Sequence, residues 1–360
     1  MGTLISASLA KQFKVNFIIR NAAKIDNLAK TGNTFSITRL FDNNNTTQFT
    51  INGAFQVDKI PDNHIDFLLI SVKTFDTVKS LAPLLDKISE KTRILLVQNG
   101  MGVVDELYNE VWTDISKRPT IYQGVISHGA WQSAENHNTY NYNHAGFGYL
   151  KVCKVPRDLK STKTLKEDEA FMKNDAVMDA LFKSDIAGTG YSYDILLVYQ
   201  IQKFLVNCCM NATTSIVDAI NYKISEIPET HDLFTGIVDE GLTVLFKAYP
   251  ALAKSELAQS LLTTEKQVEF VKHIGFGVNP KNSTSMRQDV LNLRDTEIDY
   301  INGHIIKKAK ECGITAPINS TIRQLLKMKQ AVTRINSAEA ENNWDRESTF
   351  EHFSWTDFVE

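Results

Sequence analysis

Three polar residues stand four apart in one of the most apolar stretches of the chain: Lys203, Asn207 and Asn211, in "KFLVNCCMN". On a helix of about 3.6 residues per turn they point the same way, drifting by about 40° at each step. Around them sit Phe204, Leu205, Val206, Cys208, Cys209 and Met210, so the stripe is aimed into an apolar interior. An ammonium and two carboxamides are costly to bury unless something polar meets them. Two readings are open. Either Lys203 forms an internal salt bridge while the amides cap neighbouring loops, or the stripe faces a polar ligand.

A second candidate lies in "TEIDYINGHIIKKAKECGI". Ile298, Ile301, Ile305, Ile306 and Ala309 mark the core face of a helix, and Glu297 stands one turn before Ile301 on that face. An acid there is a partner for Lys203, or else a solvated glutamate favoured by the helix dipole. The third candidates follow apolar runs in the first part of the chain. Lys73 comes after "LLISV", and "QNGMG" (98–102) comes after "ILLV". In an open α/β sheet, ligands bind just beyond the carboxyl ends of the strands. Two glycines there let backbone approach a cofactor closely, although the same letters also make an ordinary turn.

The elements that must position these residues can be read from hydrophobic periodicity. "FLLISVK" (67–73) and "RILLVQNG" (93–100) are continuous apolar runs, and "TFDTVKSLAPLLDKISEKT" between them carries apolar residues at helical spacing. Strand, helix and strand with both strands buried implies a parallel sheet. "TIYQGVISHGAW" (120–131) reads as one more strand, and "FSITRL" with "TTQFTINGAFQV" as a hairpin beside the sheet. From about 131 to 190 the pattern is irregular, with a charged stretch "RDLKSTKTLKEDEAF"; from about 191 to 330 it is helical almost throughout. "DILLVYQIQKFLVNCCMNATTSIVDAI" is apolar around most of its circumference and should be the central helix of a second domain.

The expected fold is therefore α/β: a Rossmann-like parallel-sheet domain over 1–190 and an all-helical substrate domain over 191–332. An acidic-aromatic tail follows over 333–360, and its five aromatics favour a helix packed on the body over a disordered extension. There is no internal repeat. The first residues, "MGTLISASLAKQFKVNFIIRN", read as a helix and then a strand ending at Arg20. That is the second half of a dinucleotide-binding βαβ unit, whose phosphate loop would precede the helix.

The 360 residues are 43% hydrophobic and 22% charged, with a formal net charge of -3, which suits two globular domains. A sequence pI near 6.3 offers no electrostatic footprint for nucleic acid or an anionic membrane. Cys153, Cys208, Cys209 and Cys312 form no C-x-x-C pair, implying a reduced, cytoplasmic protein without a structural metal. No run of eighteen apolar residues suggests a membrane span, and the start lacks a basic secretory n-region. Met1-Gly2 with Ser6 fits the short myristoylation pattern, but Leu4, Ile5 and Leu9 serve better inside a fold. The sequons at Asn45 and Asn211 read as chance matches.

Together these pieces resemble the ketopantoate reductases (2-dehydropantoate 2-reductases). "SVKTFD", "VQNGMG", "GVISHGA", "HAGFG", "KFLVNCCMNATTSIVDA" and "SMRQDVLNLRDTEIDYINGHIIKKAKECGITAP" occur in the family's order across roughly residues 1–330. The resemblance implies NADPH-dependent reduction of a branched 2-oxo acid, with Lys203 as the general acid and Glu297 holding the lysine and substrate. It implies that Asn207, Asn211 and Ser285 bind the substrate's hydroxyl and carboxylate, and that Lys73 and Asn99 lie at the cofactor–substrate junction. Gly2, Arg20 and Ala130 complete the cofactor set, with Arg20 placed for a 2′-phosphate. Gly2 matches the last glycine of the family's G-x-G-x-x-G loop, so the first strand and two glycines are missing, and a longer natural protein is expected. The partner implied is a small 2-oxo acid, with no nucleic acid and no membrane, and members of the family are monomers or homodimers. A different class of function is a non-catalytic relative with impaired nucleotide binding that kept the two-domain body for binding or regulation, which the missing loop and the acidic-aromatic tail would suit.

Overall fold

The computed structural model of the chain describes residues 1–61, 63–132, 139–159 and 171–341. The charged stretch over 160–170 and the tail over 342–360 lie outside the described residues. The parallel core is built from β5 (Phe67–Ile70), β6 (Arg93–Leu96) and β7 (Thr120–Ile126), paired in that order. The continuous apolar sequences of β6 and β7 are explained by burial on both faces, with Ile94, Leu95, Leu96 and Ile121 fully buried. β5, expected to be buried on both faces as well, lies at the edge of this sheet with only Ile70 buried. Beyond β7 the sheet turns mixed. β10 (Leu150–Lys154) runs antiparallel to β7, and β11 (Gly188–Gly190) runs parallel to β10 at the edge.

Two helices from opposite ends of this domain cover one face of the sheet. α1 (Gly2–Leu9) buries Leu4, Ile5 and Leu9 in the same cluster as Leu95, Tyr122, Leu150 and Val152. α5 (Ala176–Phe182) adds Val177, Met178 and Leu181, and Asp175 caps it by accepting from the Val177 and Met178 N–H groups. The other face holds Leu96, Ile121, Val125 and Cys153 against Val103, Val104 and Leu107, which belong to α4 (Val103–Glu106) and the turn after it.

The remaining strands do not extend this sheet. β1 (Asn16–Ile18) pairs in parallel with β4 (Gly53–Phe55) as a separate two-stranded sheet, with α2 (Ala22–Lys30) following β1. Among the described residues, no strand joins the free edges of β1 and β5. β2 (Thr34–Arg39) and β3 (Asn45–Thr50) form the expected hairpin, in a four-stranded sheet ordered β3-β2-β9-β8 with β8 (Gly129–Trp131) and β9 (Tyr142–Gly146).

Three expectations are corrected here. "TIYQGVISHGAW" is two strands in two sheets, because the chain breaks between Ile126 and Gly129. The "GAF" of the supposed hairpin is β4, paired with β1 instead. The crossover after β5 is not one helix: α3 (Thr77–Leu81) gives way to a 3-10 turn over Ala82–Lys87, where Pro83 brings no N–H to an α-helical ladder.

The second half is helical, and one helix runs through its centre. α6 (Tyr193–Ile216) buries Leu197, Val198, Ile201, Leu205, Cys208, Cys209 and Ala212. Around it pack α7 (Pro228–Ala248), α8 (Glu256–Leu261), α9 (Thr264–Lys272), α10 (Ser285–Leu291), α11 (Asn302–Glu311) and α12 (Pro317–Glu341). Residues 333–341 continue α12, so the tail's helical start is integral to that helix. Near its other end, Leu196 of α6 belongs to the sheet's cluster with Val125 and Cys153. One helix thus reaches from the helical core onto the sheet, and this positions the candidate residues. Among the described residues, no helix is long and apolar enough to cross a membrane.

Candidate active site

Lys203 stands where α6 meets the carboxyl ends of the parallel strands. Its ammonium donates to the Ile126 carbonyl at the end of β7 and, at 3.1 Å, to Asn99 Oδ1 just past β6. Burial holds its pKa at about 8, well below the ordinary lysine value, while the Glu297 carboxylate opposes that shift. Lys203, Asn207 and Gln200 of α6 line one cleft with Gln98, Asn99, Gly100 and Gly124. Of the stripe read from the sequence, Lys203 and Asn207 thus face the strand ends, while Asn211 does not line this cleft.

The "QNGMG" loop is fixed from both sides. Gly100 and Gly102 have φ of +83° and +93°, which side chains on Cβ resist. The Met101 N–H donates to the Tyr300 carbonyl, and a Cβ on Gly102 would lie 2.6 Å from His304 Nδ1. Helical-domain residues thus press on the loop that presents Asn99. Further ties cross the same boundary: the Tyr300 hydroxyl donates to Glu106 at 2.6 Å, and Lys308 pairs with Asp105 at 3.1 Å. Gln98 donates to the Val72 carbonyl and to Thr77 Oγ1, while its Oε1 is buried in the cleft wall without a partner among the described residues.

Glu297 differs from its expected setting. It precedes a 3-10 turn (Ile298–Tyr300), and the α-helix begins only at Asn302, because Ile301 breaks the helical backbone at φ -110° and ψ -105°. Ile298, Ile301, Ile305 and Ala309 are nonetheless buried as the pattern indicated. The Glu297 carboxylate accepts from the Thr74 N–H at 3.0 Å and from the Thr74 hydroxyl at 2.9 Å, and lies 3.6 Å from Lys73 Nζ. No hydrogen bond joins it to Lys203 among the described residues; it acts on that ammonium as a nearby charge. Lys73 itself binds Asp289, whose other oxygen takes Arg294 Nε at 3.0 Å.

The remaining candidates are distributed. Asn211 is buried two turns beyond Lys203, and Thr214 of the same helix meets Thr284, the N-cap of α10, at 2.9 Å. Ser285, at the start of α10, is exposed beside that contact. Gly2 opens α1 against the end of β5, where a Cβ would stand 2.2 Å from Ser71 Oγ. Arg20 follows β1 with its side chain 77% exposed and pairs with Asp76 at 3.2 Å. Ala130 lies in β8 of the four-stranded sheet, paired with His144. The structure therefore gathers Lys203, Asn99 and Asn207 in the cleft and sets Glu297 and Lys73 together nearby. Gly2, Arg20 and Ala130 are not drawn into that cluster.

Two contributors were not singled out in the sequence. Asp289 is 3% exposed on the face of α10 that also buries Met286 and Val290. An acid three residues after a buried methionine, on a core face, was the available signal. The Ile126 carbonyl carried no signal at all, because a backbone acceptor at a strand end is set only by tertiary structure.

Residues 1–157 match the family described as ketopantoate reductase PanE/ApbA, and residues 196–330 match its C-terminal part. The chain is 34% identical over 363 residues to the 2-dehydropantoate 2-reductase of Saccharomyces cerevisiae, covering 94% of each chain. It is 33% identical over 339 residues to the probable 2-dehydropantoate 2-reductase of Schizosaccharomyces pombe, covering 93% of this chain and 95% of that one. Among solved structures it shares its fold with D-mandelate dehydrogenase in a ternary complex with NADH and anilino(oxo)acetate, at a TM-score of 0.74 and 20% identity. That likeness covers 93% of this chain and 96% of that one. On the sequence matches, the chain belongs to the ketopantoate reductase family of oxidoreductases.

Proposed function

We propose that the protein reduces 2-dehydropantoate, or a closely related 2-oxo acid, to the 2-hydroxy acid with NADPH. The observation that supports this most is Lys203: a partly desolvated ammonium, held by Asn99 and Ile126 at the ends of adjacent parallel strands. The cofactor, when bound, supplies the hydride that reduces the keto carbon. Lys203 supplies the proton to the carbonyl oxygen as it becomes an alkoxide, and before that its charge stabilises the developing oxyanion. Glu297 keeps the lysine more readily protonated than burial alone would. Asn207, Asn211 and Ser285 orient the substrate's hydroxyl and carboxylate in this reading, with Asn99 shared between substrate and lysine.

The residues present fit a nicotinamide dinucleotide. A Cβ on Gly2 would run into Ser71 Oγ, so the start of α1 lies close against the end of β5, where a helix N-terminus can face a phosphate. Gln98 Oε1 is a buried acceptor lacking a donor, and a carboxamide N–H is such a donor. Arg20, exposed beyond β1, is the cation for a 2′-phosphate, and Lys73 and Ala130 complete the cofactor set. The reading places the enzyme in the cytoplasm.

The test is to follow NADPH consumption by the purified protein with 2-dehydropantoate and with other branched 2-oxo acids, and to repeat it with NADH. Turnover with NADPH that exceeds turnover with NADH, and loses that preference in Arg20→Ala, supports the reading. No turnover with any of these acids while NADPH binds would reject it.

A further inference from the structure

Lys151 sits on β10 directly opposite Val125 of β7. Its ammonium lies 3.3 Å from the centroid of the Tyr199 ring, with the rings of Tyr149 at 4.6 Å and Tyr191 at 5.7 Å. Tyr191 and Tyr199 meet edge to face, with centroids 5.4 Å apart. Among the described residues, no carboxylate pairs with Lys151. A half-buried cation is thus held by the faces of aromatic rings in place of an acid.

The cage joins three parts of the chain. Lys151 and Tyr149 come from β10 and its approach, Tyr191 from the segment that enters α6, and Tyr199 from α6 itself. The backbone reinforces one of these joints, the Tyr191 N–H donating to the Val152 carbonyl at 2.8 Å, and the Tyr149 N–H donates to Ser127 Oγ just past β7 at 2.9 Å. Its place relative to the catalytic lysine is what matters. Tyr199 stands four residues before Lys203, on the same face of α6 one turn earlier. Val125, opposite Lys151, is followed by Ile126, whose carbonyl receives the Lys203 ammonium.

We propose that Lys151 is a positioning residue for Lys203: its ammonium, seated on Tyr199, ties the first turns of α6 to the β7–β10 pair and so keeps Lys203 against Ile126 and away from water. The proposal rests on the reading of Lys203 as proton donor. The titratable and charged groups facing Lys203 are Glu297, with Lys73 and Asp289 behind it; those facing Lys151 are Tyr149, Tyr191 and Tyr199. Removing the Lys151 charge changes none of the groups that face Lys203. What it changes is the seating of α6 and hence the hydration of Lys203, which moves its proton affinity back toward that of a free lysine.

The experiment compares the pH dependence of kcat/KM for wild type, Lys151→Met, Lys151→Arg and Tyr199→Leu, with Lys203→Met as the control. Lys151→Met keeps most of the stem and removes the cation. Its alkaline limb should move up by about one pH unit and its kcat at neutral pH should fall about tenfold. Arginine, which also seats on a tyrosine face, should restore both, and Tyr199→Leu should reproduce the methionine result. An unmoved limb in Lys151→Met and Tyr199→Leu overturns the proposal while leaving Lys203 as the acid. So does a limb that moves equally in the arginine variant. Full activity in Lys203→Met overturns instead the reading on which the proposal stands.

Discussion

The proton on Lys203 makes the sharpest demand of the site. Burial lowers its pKa to about 8 and Glu297 partly opposes the shift. If the ammonium is the acid, kcat/KM should be flat below that value and fall above it, to about a tenth at pH 9 and about a hundredth at pH 10. Glu297→Gln removes the charge that favours the ammonium while keeping an acceptor for the Thr74 N–H and hydroxyl. Its limb should therefore lie below pH 8, with the rate at acidic pH reduced less than the rate at pH 8. The sign is fixed by electrostatics, because a lost carboxylate can only make a nearby ammonium easier to deprotonate. The assay is initial-rate NADPH consumption across pH 6 to 10 at saturating cofactor, with thermal unfolding of each variant as the control for folding. A profile that stays flat to pH 10, or a Glu297→Gln limb displaced upward, would refute the reasoning.

Other outcomes follow from neighbouring contacts. Gly102→Ala must hold a side chain at φ +93° with its Cβ 2.6 Å from the His304 ring, so it should lose about 2 kcal/mol or more of stability and displace the loop carrying Asn99. Urea unfolding and kcat measure the two effects, and a variant with wild-type stability would contradict the packing described. His304 is buried against Phe204 and Tyr249, and burial, aided by Lys308 and Lys307, pushes its pKa down to about 3. Its folded value lies below the unfolded value near 6.5, so the unfolded chain takes up the proton first. The stability present above pH 6.5 should thus fall as pH drops toward 3, by about 5 kcal/mol at most. His304→Gln should flatten that part of the curve in urea midpoints measured at several pH values, and an unchanged slope would exclude His304 as its source. Asp289→Ala leaves Lys73 and Arg294 without their shared carboxylate and should cost about 2–4 kcal/mol, against a smaller loss for Asp289→Asn. Equal losses for the two would show that the charge alone, and nothing asparagine retains, is what Asp289 contributes, against the smaller loss expected for Asp289→Asn.

Much of this arrangement was legible because periodicity reports burial. The runs at 67–73 and 93–100 carry the parallel strands β5 and β6, of which β6 is buried on both faces, and the stripe Lys203, Asn207, Asn211 lies on the central helix. Where the reading failed, the cause was tertiary or local. Nothing in "GVISHGAW" announces that the chain leaves one sheet after Ile126 and joins another at Gly129. The apolar spacing through Pro83 suggested a single helix, but a proline removes an N–H whatever the pattern around it. The helix drawn through Glu297 overlooked a backbone break at Ile301, and with it the turn that aims the carboxylate at Thr74. Partners of charged groups were the least legible. Lys73 finds Asp289 across 216 positions of sequence, and no local rule connects them.

The measurement that bears most directly on the account is the activity of Lys203→Met beside wild type, with NADPH affinity followed in parallel by fluorescence titration. The account predicts that turnover of 2-dehydropantoate falls by about a hundredfold or more while NADPH binding changes little, because Lys203 serves the carbonyl oxygen and not the dinucleotide. Turnover within a few-fold of wild type would contradict it.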